Sequence, residues 1–264
     1  MDKLNKYISS RLSLREPQEE ALRILSEIIK ILDRKRDDDL QKKLEKIREI
    51  FPTVEEFERH FPSICFALAT GVGKTRLMGA FISYLYLNSE SRHFLILAPN
   101  LTIYEKLKED FSPNSPKYVF KGIQEFVSIP PIIVTGENYE SGAGIRFDGD
   151  KYFGQSNLFL DNDTPIINIF NISKINSTEN KNKSIKAKIP RIKRLQETIG
   201  ESYFEYLANL SDLVILMDEA HRYRSSAGEK AINELNPILG IELTATPKTV
   251  GNKSLEFKNI VYSY

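Results

Sequence analysis

The sequence predicts an α/β domain built on a mainly parallel β-sheet with helices on its faces. Short uninterrupted apolar runs recur along the chain, amphipathic segments lie between several of them, and small or charged residues follow directly on their ends. An apolar run of strand length without polar alternation is what a strand covered on both faces requires, and alternation of such strands with helices is the pattern of a parallel sheet. In sheets of this kind ligands bind at the carboxyl ends of the strands. The residues just after each run therefore carry the functional reading.

In chain order, Leu22, Leu25, Ile29 and Leu32 recur at helical spacing behind Pro17, with Glu19 and Glu20 close after the proline. That pattern predicts an amphipathic helix with proline in its first turn. A second, highly charged helix is expected from Asp39 to Ile50, where Leu40, Leu44 and Ile47 supply one buried face. Strands are expected at Ile64 to Ala69, Phe94 to Ala98, Ile132 to Val134, Pro165 to Ile172, Leu213 to Met217 and Ile241 to Ala245, with a helix from Thr75 to Leu87. Asn171 to Lys188 is rich in Asn, Lys and Ser and reads as an exposed insertion. Lys174, Lys181, Lys183, Lys186, Lys188, Arg191, Lys193 and Arg194 face only Glu179 as a nearby acid in sequence. Such a run either tracks a nucleic-acid backbone or is solvated and touches nothing. The expected organisation is a helical region over residues 1–60 and an α/β lobe over 61–264, with the insertion near 171–194.

Composition bounds the function classes. The chain has 264 residues, 37 basic against 36 acidic, for a net charge of +1. Attraction to nucleic acid must then come from local patches and not from the global balance. A single cysteine, Cys65, excludes a disulfide framework, and His60, His93 and His221 have no metal-ligand spacing with it or with one another. No basic run followed by an apolar block opens the chain, and no eighteen-residue apolar stretch occurs, so a cytoplasmic setting is expected.

Three segments carry chemistry. Ala67 to Thr75, ALATGVGKT, stands between a strand and an amphipathic helix, the context a phosphate-binding loop requires. In Thr70, Gly71, Val72, Gly73, Lys74 and Thr75 the glycines let backbone N–H groups converge on phosphate oxygens. Lys74 is expected to reach the β- and γ-phosphates as a point charge, and Thr75 to offer its hydroxyl to Mg²⁺. The full pattern has a glycine where this chain has Leu68. At the end of the Leu213 run, Asp218 and Glu219 diverge, so that one carboxylate can hold metal and the other accept a proton from attacking water. His221 is either a structural histidine or a link to moving parts. Thr244 and Thr246, in ELTATP, are expected to project together and to bond Asp218 or His221.

TGVGKT, DEAH and TATP, in that order, resemble motifs I, II and III of superfamily-two helicases and translocases. The phrases LILAPNLTIYEKLKEDF and DEAHRYRSSAGEKAINELNPILGIELTATP are similar to the restriction subunits of Type III restriction-modification systems. The resemblance implies the first RecA-like lobe of a DNA-dependent ATPase, with ATP and Mg²⁺ as ligands and DNA and a modification methyltransferase subunit as partners. It assigns Lys74 and Thr75 to phosphate and metal, Asp218 to metal, Glu219 to water activation, and Thr244 and Thr246 to coupling. Gln18 matches an upstream glutamine that reads adenine, beside its plainer reading as a helix-face residue. Pro99 and Asn100, Thr135 and Gly136, and Ser173 and Lys174 match positions that contact DNA, or else serve only their loops. A second motor lobe and a nuclease are expected outside these 264 residues, leaving this segment alone nearly inactive. A Type I restriction motor, a free-standing helicase and a nucleotide-dependent DNA-binding switch remain as alternatives.

Overall fold

The computed structural model describes residues 2–32, 39–145, 163–175, 190–196, 199–224, 226–248 and 256–264. Lys181, Lys183, Lys186, Lys188 and Glu179 of the expected insertion lie outside them. Strands β1 (Ser63–Ala67), β2 (His93–Ala98), β3 (Ile132–Thr135) and β4 (Ile166–Asn171) are followed by a two-stranded pair, β5 (Leu195–Gln196) and β6 (Glu201–Ser202). Then come β7 (Leu213–Asp218), β8 (Leu239–Thr244) and β9 (Ile260–Ser263). The helices are α1 (Lys3–Leu12), α2 (Glu16–Ile31), α3 (Leu40–Ile50), α4 (Lys74–Leu87), α5 (Leu101–Phe111), α6 (Gln124–Ser128), α7 (Ile172–Ile175), α8 (Tyr203–Asn209) and α9 (Ser226–Leu235).

Seven strands form one sheet in the order β3-β4-β2-β7-β8-β1-β9. Every pairing in it is parallel. Alternate residues of β1, β2 and β7 divide between two cores, and β8 gives its apolar residues to one of them. Ile64 and Phe66, Phe94 and Ile96, Val214 and Leu216, and Ile241 and Leu243 join the core under α1, α2, α4 and α5. Cys65, Leu95 and Leu97, and Ile215 and Met217 join the opposite core, with residues of α8 and α9. Two buried faces explain the uninterrupted apolar runs.

The expected strands are all present, with ends shifted by up to two residues. Sequence periodicity did not mark α1, β9 or the β5/β6 pair. Strand β9, IVYS, has only two aliphatic residues before Tyr and Ser, and its place is set by β1, along whose free edge it lies. Helix α1 carries mostly polar residues, yet Asp2 caps it by accepting from the Asn5 N–H at 2.8 Å, and Ile8 and Leu12 anchor it in the core. Ser13, left-handed at φ 48°, ends it.

Helices α1, α2 and α3 contribute Ile8, Leu22, Leu25, Ile28 and Ile47 to the same cluster that holds Phe66 and Phe81. The approach is close: a Cβ on Gly122 would meet the carbonyl oxygen of Arg11 at 2.0 Å. Residues 1–60 therefore share a core with the lobe. Leu25 is fully buried in α2, so Leu25→Ala should cost about 2–5 kcal/mol. Chemical denaturation followed by both circular dichroism and tyrosine fluorescence should show one transition shifted to lower denaturant; two separate transitions would make the helical region an independent unit.

Candidate nucleotide site

The carboxyl-end edge of the sheet divides into two neighbouring halves. Strands β7, β8 and β1 are adjacent and end at the Asp218, Thr244 and Gly71 to Lys74 segments; β3, β4 and β2 are adjacent and end at Thr135, Asn171 and Ala98. The first half gathers the expected nucleotide residues, the second the expected DNA residues.

After β1 the chain turns through Gly71 and Gly73, at φ +86° and +91°, a region where a side chain would be strained. Nothing lies within 4 Å of a Cβ built on Gly71, so that side of the loop is open. Helix α4 begins at Lys74, and Lys74 Nζ lies 2.6 Å from Glu219 Oε1. The phosphate loop and the acidic turn, 145 residues apart in sequence, are thus joined by one ion pair. Glu219 holds a left-handed backbone at φ 51°, uncommon for a residue with a side chain. Its N–H donates to Asp218 Oδ1 at 3.0 Å. Burial pushes the Asp218 carboxyl above its ordinary value, against the pull of Lys74.

Oxygen donors suited to Mg²⁺ are present in the Asp218 carboxylate and the Thr75 hydroxyl. Among the described residues no group of three or more His, Cys, Asp or Glu is placed to hold a metal unaided. Mg²⁺ that shares one or two protein oxygens with nucleotide phosphates needs no such cluster. A dication would also offset the desolvation that raises Asp218, so the donor set fits the metal.

His221 Nδ1 lies 3.1 Å from Thr244 Oγ1. Burial lowers the His221 pKa despite the nearby Glu219 carboxylate, which favours the neutral ring. A consistent pattern has Nδ1–H donating to Thr244 Oγ1, the threonine hydroxyl donating to the Thr246 carbonyl at 3.1 Å, and the Thr246 N–H donating back at 3.0 Å. Thr244 and Thr246 do not project together as expected. Strand β8 stops at Thr244, the chain bends at Ala245, and Thr246 is exposed, joining through its backbone.

Gln18 departs from the plainer of its two readings. It is buried, not on an exposed helix face. Its Oε1 accepts from the Arg15 N–H at 2.8 Å and its Nε2 donates to the Gly73 carbonyl at 3.0 Å. It therefore caps α2 and ties that helix to the phosphate loop. An amide has two N–H groups and two acceptor lone pairs, so one of each remains for a ligand. Beside Gln18 and the loop opens a cleft of about 520 Å³, whose wall includes Gln18, Gly71, Gly73 and Thr75.

On the other half, Asn100 Oδ1 accepts from the Ile103 N–H at 2.9 Å and caps α5, with half-buried Pro99 before it. Thr135 is buried and spends its hydroxyl in the turn with Asn138 and Glu137. The Gly136 N–H donates to Tyr104 Oη, which donates to Glu137 Oε2. Ser173 and Lys174 are exposed, and a Cβ on Gly136 would lie 3.7 Å from Lys174 Cε. All three pairs thus meet along one edge. Of the basic run, Lys193 pairs with Glu234 and Arg191 with Glu140, partners that sequence proximity did not reveal.

A family model described as the Type III restriction enzyme, res subunit, matches residues 11–249. The chain belongs to that family. It is accordingly a RecA-like, ATP-binding motor lobe of the helicase-like kind. Among solved structures, a Sulfolobus solfataricus SWI2/SNF2 ATPase core in complex with dsDNA is similar, with 17% sequence identity and a TM-score of 0.41. The match covers 82% of this chain and 34% of that one. No curated protein matches the sequence. Among the described residues no helix is long and apolar enough to cross a membrane.

One feature of this family member escaped the motif reading. Glu242, in the middle of β8 and fully buried, is held by Arg59 Nε at 3.1 Å, Arg224 Nη2 at 2.7 Å and Ser63 Oγ at 3.0 Å. Arg224 also reaches Glu58 at 2.9 Å. A charge inside the otherwise apolar run IELT signals such a partner set, because an unpaired buried carboxylate is costly. Burial alone would raise the Glu242 pKa; Arg59 and Arg224 outweigh it and hold it below the ordinary 4.5. A lowered carboxylate contributes stability above its unfolded value and loses it as pH falls through the folded one. Glu242→Ala should therefore cost about 3–5 kcal/mol at neutral pH by stranding the buried Arg59 guanidinium and leaving Arg224 with Glu58 alone. The difference from wild type should shrink in acid, as pH falls below the ordinary 4.5. Urea titrations at neutral and acid pH check this; a pH-independent difference would assign the loss to packing.

Proposed function

We propose that the lobe binds ATP with Mg²⁺, hydrolyses it in response to DNA, and serves as the motor of the restriction subunit beside a modification methyltransferase. The Lys74–Glu219 pair carries this reading. It sets the cation expected for the outer phosphates against the carboxylate expected to activate water, in a loop whose glycines leave backbone N–H groups open to phosphate oxygens. Lys74 binds the phosphates by charge, Glu219 accepts the proton of the attacking water, and neutral His221 with Thr244 links the acidic turn to β8. Mg²⁺, when bound by Thr75 and Asp218, neutralises charge on the phosphates. Gln18 keeps one donor and one acceptor for adenine.

DNA binding is assigned to the β3-β4-β2 half of the edge. There the Asn100 turn, Gly136 and Lys174 present small groups, backbone and one exposed cation, which suit phosphate contact more than base reading. A nucleotide switch without hydrolysis would not need Glu219, so retention of that residue favours a motor. The Type III assignment over a Type I motor follows the family match.

Lys74→Ala should abolish tight ATP·Mg binding, as measured by calorimetric titration. Unchanged affinity would remove the phosphate-loop assignment. In the complete enzyme, Glu219→Gln should free Lys74 from its ion pair, so nucleotide affinity should hold or rise while DNA-stimulated turnover falls by about a hundredfold or more. Loss of both binding and turnover would make Glu219 a structural or metal residue. In the resembled motors a second lobe supplies arginines that stabilise the transferring phosphoryl group, a contribution worth about a thousandfold or more. Residues 1–264 alone should then bind ATP but turn it over very slowly, and robust DNA-stimulated hydrolysis independent of protein concentration would refute this.

A further inference from the structure

The cleft beside the phosphate loop is far more basic than the chain. Its walls carry six cations from four segments: Arg11 at the end of α1, Arg15 before α2, Arg76 in α4, and Lys106, Lys117 and Lys121 on α5 and the loop behind it. Among the described residues one acid, Asp110, lines it, and burial pushes that carboxyl toward its neutral form. In a protein of net charge +1 this is a local concentration.

The charges are also poorly neutralised. Lys117 has a carboxylate partner, Glu109 at 3.0 Å. Arg76 donates to the Ser13 carbonyl at 3.3 Å, Lys121 to the Pro116 carbonyl at 2.7 Å, and Arg11 lies over the Tyr7 ring, none of which cancels charge. Among the described residues no carboxylate stands within ion-pair distance of Arg11, Arg15, Arg76, Lys106 or Lys121. A concave wall of unpaired cations draws anions strongly.

The cleft shares Gly71, Gly73 and Thr75 with the phosphate loop and is about 520 Å³ in volume, room for a nucleoside. If the loop holds the 5′-phosphates, as the proposed function requires, the nucleoside half enters this space. A nucleoside is neutral and leaves five unpaired cations unanswered. We propose that the cleft is a second anion site, contiguous with the phosphate loop, for nucleotides that carry an additional phosphate on the sugar. Such ligands bridge both sites, bind more tightly than ADP and compete with ATP.

Calorimetric titration of the purified chain with ADP and with adenosine 3′-phosphate 5′-diphosphate tests this, with and without the paired substitution Lys106→Gln and Lys121→Gln. Both lysines are exposed, so the fold should survive. The sugar-phosphorylated ligand should bind at least about tenfold more tightly than ADP, with a steeper salt dependence, and the advantage should fall to about threefold or less in the variant. Equal affinities in the wild type, with ADP still bound, overturn the second site and leave the nucleotide reading intact. An advantage undiminished in the variant also overturns it. Absence of binding by either ligand overturns both readings. A short single-stranded oligonucleotide that displaces neither ADP nor the probe is expected; its displacement of the probe alone would assign the cations to nucleic acid and overturn the proposal.

Discussion

Coverage of the sheet on both faces constrains everything else in this lobe. Because residues of β1, β2 and β7 alternate between two apolar cores, a polar group along a strand needs buried partners, as Asn168 in β4 has in the Phe94 carbonyl and the Tyr203 hydroxyl. Polar chemistry is pushed to the strand ends, where the chain leaves the hydrogen-bonded ladder and backbone N–H groups are free to meet a ligand. Parallel pairing brings the carboxyl ends of all seven strands to one edge. The strand order then decides which ends are neighbours: β7-β8-β1 for nucleotide, β3-β4-β2 for the expected DNA contacts. Strand β2 borders β7, so the two halves touch, and Tyr223 spans the border by donating to the Leu97 carbonyl at 2.8 Å.

Glu242 is the charged case and shows what it costs to bury a polar group there. The carboxylate survives inside β8 because two guanidinium groups and a hydroxyl surround it, and the arrangement does more than neutralise charge. Arg224 follows directly on the Ala220–Tyr223 turn behind Asp218 and Glu219. The acidic turn is therefore fastened to β8 twice, through His221 to Thr244 and through Arg224 to Glu242. A turn that includes a left-handed Glu219 needs such fixation, since a strained backbone persists only where its surroundings over-determine it.

Legibility in the sequence followed the range of the physical signal. Each strand run and the TGVGKT, DEAH and TATP segments were readable because their determinants are local: a short apolar stretch, glycines at fixed offsets, carboxylates at a run's end. Helix α1 was not, because its apolar content is low and its stability comes from Ile8 and Leu12 meeting a core made mostly elsewhere. The partners of Glu242, Lys193 and Arg191 were equally hidden, since each pairing joins segments that only the fold brings together. Thr246 failed for a smaller reason: a two-residue period holds only while the chain stays extended, and β8 ends at Thr244.

Gln18 meets a structural demand and leaves one donor and one acceptor uncommitted. Its amide closes the first turn of α2 and grips the Gly73 carbonyl, so the position of the helix and the shape of the phosphate loop are set together. A Cβ on Gly73 would come within 2.8 Å of the Gln18 nitrogen, which excludes a side chain there for contact as well as for φ. Any ligand that used the remaining donor and acceptor of Gln18 would pull on the same amide that holds the loop. Base recognition and phosphate binding would then be coupled through a single side chain, without a moving domain. The Lys74–Glu219 pair adds the complementary constraint on the other side of the loop: phosphates that took Lys74 would have to compete with Glu219, so filling the loop would also free that carboxylate.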